Sequence, residues 1–191
     1  SKTVGPEAVR QAIAAGITDF GENRMQEFRD KEALFPEVNW HFIGTLQSNK
    51  ARHVVGRAAL VHSIDSMHLL KEVDGRAQAL GIVQPVLLEV NISREPSKHG
   101  FAPEEIEQVL RRVGDHPGVL VRGLMTMAPF VRPEDTRPYF RDLAARFARF
   151  QGMRFNGVDL EELSMGMTND YRVAVEEGAT IVRIGRAIFG K

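Results

Sequence analysis

The residues best placed for chemistry lie at opposite ends of this 191-residue chain: Lys2 near one end, and two glycine-bearing turns near the other. The turns fall in residues 163–190, LSMGMTNDYRVAVEEGATIVRIGRAIFG. This stretch reads as strand, turn, helix, strand, turn and the first turn of another helix. Residues 163–167 form an apolar run broken by Gly166, and Thr168-Asn169-Asp170 offers side-chain oxygens to uncapped N–H groups of a following helix. Tyr171, Val173, Ala174 and Val175 give that helix its apolar residues, and Gly178 stops it. Residues 180–184 are β-rich, and Gly185-Arg186-Ala187 opens a new helical turn. Turns of this kind present backbone N–H groups to an anion, so the pair reads as a phosphate cup. A lysine held in a partly dry site loses its proton more readily. Its neutral amine can then attack a carbonyl to form a Schiff base. A lysine opposite a phosphate cup suggests an aldehyde that carries a phosphate, and pyridoxal phosphate fits that description.

Positioning such groups takes a scaffold, and the rest of the chain alternates strand with helix. Pro6 sits where a helix starts, with Val9, Ala12 and Ile13 at helical spacing until Gly16. Residues 19–23 read as a short strand or turn, and 24–35 as a charged surface helix. Strands are expected at 39–44, 59–64, 85–92 and 119–127. Helices are expected at 46–55, from the Asp65-Ser66 cap towards Gly81, at 103–113 and at 133–150. Residues 93–100, SREPSKHG, are the most polar connection and read as a mobile loop. Regular alternation argues a parallel sheet. Seven strands plus a stub at residues 1–3 argue a single-domain (β/α)8 TIM barrel over residues 1–191, in which loops after strands seven and eight commonly hold phosphate. The chain begins Ser1-Lys2-Thr3 without methionine, and a strand of ordinary length cannot fit before Pro6. The expectation is therefore that most of the first strand precedes Ser1. No GxGxxG follows the stub, which argues against a dinucleotide site.

Composition narrows the function. Lys plus Arg and Asp plus Glu number 25 each, so neither nucleic acid nor an acidic membrane is expected as a partner. There is no cysteine, which excludes disulfides and thiolate metal sites and fits a cytoplasmic location. No apolar run reaches membrane-spanning length, and His, Asp and Glu show no metal-ligand spacing. Active groups of a barrel sit at C-terminal strand ends. That rule selects Lys2, Glu22, Asn23, His41, His62, Ser63, Asp65, Asn91, Met125, Thr126, residues 164–167, Arg183 and Gly185. Each also has a plain structural reading. Lys2 is solvated, the histidines are hydrogen-bonded strand residues, the methionines pack, and Arg183 meets either a carboxylate or a ligand.

These motifs together, SKT, FGENRMQE, WHFIGTLQSNK, VHSID, LLEVNIS, GLMTMAP and the 163–190 stretch, resemble the pyridoxal phosphate homeostasis protein family along almost the whole chain. The family resembles the N-terminal barrel domain of alanine racemase. The resemblance implies that Lys2 carries pyridoxal 5'-phosphate as an internal aldimine. It implies that Ser164, Gly166, Met167, Thr168, Gly185 and Arg186 hold the phosphate; Asn23 and His41, selected by the strand-end rule, are expected in the same cofactor site. It also implies that Arg183 faces the pyridine nitrogen. Thr168 stands where the family often has serine, which keeps the hydroxyl; Arg186 stands where serine is frequent, which loses one. A guanidinium is a donor only, so it favours the unprotonated ring and weakens carbanion stabilisation. A racemase needs a second acid or base on the other face of the cofactor, and Tyr139 and Tyr171, the two tyrosines, fall in expected helices. The resemblance thus favours a monomeric carrier or regulator of the vitamin B6 cofactor, releasing it to amino acids or to apo-enzymes that use it. The alternatives are an amino-acid racemase-like enzyme, a cofactor-free barrel acting on a phosphorylated sugar or keto acid, and a structural interaction module.

Overall fold

A computed structural model describes residues 1–96 and 98–190. Its seven strands are β1 (Asp19–Glu22), β2 (Asn39–Phe42), β3 (Leu60–Ile64), β4 (Gln84–Glu89), β5 (Val119–Met125), β6 (Val158–Met167) and β7 (Ile181–Arg183). Neighbours in sequence are neighbours in the sheet, in the order β1 to β7, and every pair is parallel. The helices are α1 (Pro6–Ala14), α2 (Met25–Leu34), α3 (Met67–Ala79), α4 (Ile106–Arg112), α5 (Arg137–Gln151), α6 (Tyr171–Glu176) and α7 (Arg186–Phe189). Contacts cross the interior from β3 to β6, through His62 and Ser164, so the sheet is curled into a nearly closed barrel. No helix among the described residues is long and apolar enough to cross a membrane.

Three sequence expectations change. The stub at residues 1–3 is a turn, not a strand, so the described strands number seven. Ser1 nonetheless lies on the free edge of β1. The Thr18 and Glu22 carbonyls bond towards β2, at Asn39 and Ile43. The Gly21 carbonyl therefore points the other way, and it accepts from Ser1 N at 2.9 Å. Thr3 turns the chain out of line with φ 57° before a ladder can continue. The expected helix at 46–55 is a 3-10 turn, Ser48–His53. The expected N-cap from Thr168-Asn169-Asp170 is made differently: Asp170 occupies the cap position, but its carboxylate accepts from Met167 N at 2.6 Å instead of from a helix N–H. Elsewhere the local chemistry works as read. Pro6 opens α1, Gly16 adopts φ 91° just beyond its end, and Ser66 Oγ accepts from Leu69 N at the start of α3. In the polar 93–100 connection, Asn91 Nδ2 donates to the Glu95 carbonyl at 2.9 Å and to that of Lys98 at 3.4 Å; Ser97 lies outside the described residues.

Side chains alternate between the two faces of a strand. Phe20, Trp40 and Phe42 face the helices and join the main core, where Phe42 meets Phe28 of α2 edge-on. A second, smaller apolar cluster of Leu60, Leu87 and Met125, with Ile181 against it, lines the barrel interior. Counting two residues on along each strand puts His62, Glu89 and Arg183 on that same inner face.

Candidate cofactor site

The inner face carries a continuous hydrogen-bonded chain. Arg183 donates from one terminal nitrogen to Ser164 Oγ at 2.5 Å and from the other to the Thr126 carbonyl at 2.7 Å. Ser164 Oγ lies 3.0 Å from His62 Nδ1, and His62 Nε2 lies 2.9 Å from His41 Nδ1. His41 Nε2 reaches Asp19 Oδ1 at 3.3 Å. A guanidinium only donates and a carboxylate only accepts. With both imidazoles neutral, the Asp19 end sets the sense of every link: His41 to Asp19, His62 to His41, Ser164 to His62, with Arg183 donating to Ser164. Both histidines are neutral in this arrangement. Burial, with Arg183 and His41 nearby, holds His62 well below the ordinary histidine value. Burial also lowers His41, outweighing the upward pull of Asp19. Asp19 itself is pushed up by burial, but hydrogen bonds from Thr18 and Asn39 hold it below the usual range.

Arg183 is the unusual member. Part of the residue is exposed, yet its guanidinium lies deep in the barrel, where desolvation pulls its pKa down to about 10. Among the described residues it makes no ion pair; Glu89 and Asp170 act on it only at longer range. Its two partners are a neutral hydroxyl and a neutral carbonyl, leaving donors to spare for an acceptor in the interior. Glu89 shares this inner face and was not singled out from the sequence. Burial, with Asp65 adding to it, raises its pKa to about 6. A lone acid inside the apolar run PVLLEV was the available signal.

The two glycine turns meet as read. Met167 pairs with Arg183 across the β6–β7 ladder, and Gly185 N donates to Thr168 Oγ at 3.3 Å. Gly166 is held at φ 92°, and a Cβ there would stand 2.5 Å from Ala174 Cβ and 3.0 Å from Tyr171 Cα. Glycine thus lets α6 sit directly against the end of β6. Around Gly185 a Cβ would meet nothing within 4 Å, so the turn opens onto free space. Arg186 is exposed at the first position of α7.

Lys2 and Asn23 sit apart from this chain of contacts. Lys2 is exposed beside the C-terminal end of β1, to which Ser1 is bonded. Asn23 is exposed just past β1 and lines a cavity of about 400 Å³ with Arg24, Gln26, Gln47 and Lys50. Glu22, read as a mouth residue, points instead to the helix layer, where its Oε1 accepts from Lys31 Nζ at 2.5 Å.

Known proteins share this fold. The family model of the alanine racemase N-terminal domain matches residues 2–191. A pyridoxal phosphate homeostasis protein of Aquifex aeolicus is 47% identical over 194 residues, spanning 100% of this chain and 84% of that protein. The protein of the same name from Pseudomonas aeruginosa is 42% identical over 100% of this chain and 81% of its own length. PipY of Synechococcus elongatus, solved with pyridoxal phosphate bound, superposes with a TM-score of 0.89 at 36% identity, covering 100% of this chain and 90% of that one. Alanine racemase of Streptomyces lavendulae, at 20% identity and a TM-score of 0.77 over 48% of its chain, shares the fold. The chain belongs to the pyridoxal phosphate homeostasis protein family, within the wider family of alanine racemase N-terminal domains.

Proposed function

We propose that this chain is a single-domain pyridoxal phosphate-binding protein of vitamin B6 cofactor homeostasis, acting in the cytoplasm as a monomer without substrate turnover. The observation that carries the reading is Arg183: a desolvated guanidinium in the barrel interior with no ion-pair partner among the described residues and unused donors. Its donor set fits the cofactor, which presents a ring-nitrogen lone pair and an anionic phosphate. The names of the relatives and the cofactor-bound PipY structure support the same reading. When bound, the cofactor supplies an aldehyde that combines reversibly with amines and a ring that accepts electrons. Lys2 offers the amine that anchors it. Arg183, steadied by Ser164 and Thr126, meets the ring nitrogen as a donor and keeps it without a proton. Thr168, Gly185 and Arg186 receive the phosphate, with Ser164, Gly166 and Met167 shaping that wall and Asn23 and His41 completing the surround. Amino acids or apo-enzymes that use the cofactor are the recipients.

Incubating the protein with pyridoxal phosphate should give a visible absorption band, and borohydride followed by peptide mapping should fix the label on Lys2. Label scattered over surface lysines, or no band, would sink the proposal. Sustained exchange of the α-hydrogen of amino acids in heavy water would move it to a racemase-like enzyme.

A further inference from the structure

Lys2 is exposed, yet the peptide groups on both sides of it are gripped from α2. Lys31 Nζ donates to the Ser1 carbonyl at 2.6 Å, and Glu27 Oε2 accepts from Thr3 N at 2.8 Å. The two gripping side chains are tied together: Lys31 reaches Glu27 Oε2 at 3.2 Å and Glu22 Oε1 at 2.5 Å. Glu22 is fully buried and Lys31 is 6% exposed. Taking such charges out of water is expensive, and similar volume is filled at less cost by apolar side chains. The set is therefore poorly explained as a source of stability. The backbone flanking Lys2 is the part of the chain these three side chains hold from outside α2 and β1.

A second observation points the same way. Thr3 has φ 57°, a left-handed conformation that a β-branched residue rarely adopts. Its hydroxyl donates to the Lys2 carbonyl at 2.7 Å. Strain of this kind persists where surrounding contacts over-determine it, and such places cluster at ligand clamps. Here Glu27 supplies one of those contacts, through the Thr3 N–H.

We infer that Glu22, Glu27 and Lys31 form a clamp of positioning residues that holds the backbone of Lys2 in a strained turn and so aims its amine into the barrel mouth. The inference rests on Lys2 being the cofactor anchor. Its role is selectivity: Lys50 and Lys71 are also exposed lysines, and the clamp makes Lys2 the one that captures the aldehyde.

The test compares the full chain with Glu27→Ala, Glu27→Gln and Thr3→Gly. Each is incubated with pyridoxal phosphate, trapped with borohydride, and mapped for the share of label on Lys2 against Lys50 and Lys71. Capture rates are followed by absorbance. Glu27→Ala should slow capture at Lys2 by about tenfold or more, the loss expected from one charge-assisted hydrogen bond, and spread the label. Glu27→Gln still accepts from Thr3 N and should recover most of the rate. Thr3→Gly adopts the same φ without strain and keeps the N–H that Glu27 holds, so it should fold normally and leave the label on Lys2. Wild-type rates and Lys2 shares in Glu27→Ala, or a label spread by Thr3→Gly, would overturn the clamp alone. A wild-type chain unlabelled at Lys2 would overturn the anchor reading itself, and the clamp with it.

Discussion

Two polar networks lie on opposite faces of the sheet, meeting at β1, and they are built on different principles. The one between β1 and α2 is closed in charge: Lys31 is met by Glu22 and Glu27, although Glu22 Oε2 is buried without a hydrogen-bond partner among the described residues. The one inside the barrel is open, because Arg183 ends on a hydroxyl and a carbonyl while its chain of neutral groups runs on to Asp19 at the far end. A closed network holds parts of the protein in place. An open one leaves a charge for something that is not protein. The difference separates positioning from binding without reference to any ligand.

The comparison can be broken most directly by removing the cation from each network. Lys31→Met takes from the buried Glu22 its cation at 2.5 Å, leaving only the Ser1 amine as a cation, at 3.8 Å, and should destabilise the fold by about 3 kcal/mol in urea titrations. Arg183→Met strands only neutral partners and should cost roughly 1–2 kcal/mol, while abolishing retention of pyridoxal phosphate. Equal losses would erase the distinction. Glu89 gives the next effect. Its pKa is raised to about 6, so the folded state binds a proton more tightly than the unfolded one. The stability this contributes is present below about pH 4.5 and lost as pH rises through 6. Glu89→Gln should therefore raise stability at neutral pH by about 2 kcal/mol at most and change it little in acid. His62 has the opposite sign. Its folded pKa is depressed, so the unfolded state takes up the proton first as pH falls below about 6.5. Stability should then fall by up to about 1.4 kcal/mol per pH unit, a slope that His62→Gln should flatten.

The sequence carried the scaffold well because strands and helices alternate and the glycine stops it relied on obey local rules. Gly16 and Gly178, for example, adopt φ 91° and 96° where their helices end. Arg183 was legible as a charge in an apolar strand, although spacing alone left open whether it met a carboxylate. Lys31 was not legible. In RMQEFRDKEALF it looks like one more charge on a wet helix face, and its burial follows from Glu22 pointing outwards from β1, a matter of strand phase in three dimensions. The i, i+4 spacing of Glu27 and Lys31 was the one local hint. The strand-end rule placed Glu22 at the mouth because it fixes height along the barrel but says nothing of inner or outer face. The same rule passed over Asp19, which sits at the opposite end of β1 and closes the interior chain.

That chain has a consequence for discrimination. Its movable protons, on Ser164, His62 and His41, have one arrangement that satisfies Arg183 at one end and Asp19 at the other. Turning Ser164 towards a visitor would require both imidazoles to change tautomer and would leave two N–H groups, or two lone pairs, facing each other at some link. At its Arg183 end this chain therefore greets a guest with one polarity, in contrast to the Glu89 carboxylate on the same inner face. A molecule that arrives with a lone pair finds guanidinium hydrogens waiting; one that arrives with an N–H or O–H finds no acceptor released by this chain. With Arg183 as the partner of the ring nitrogen, as proposed above, the chain would favour a ring nitrogen that carries no proton.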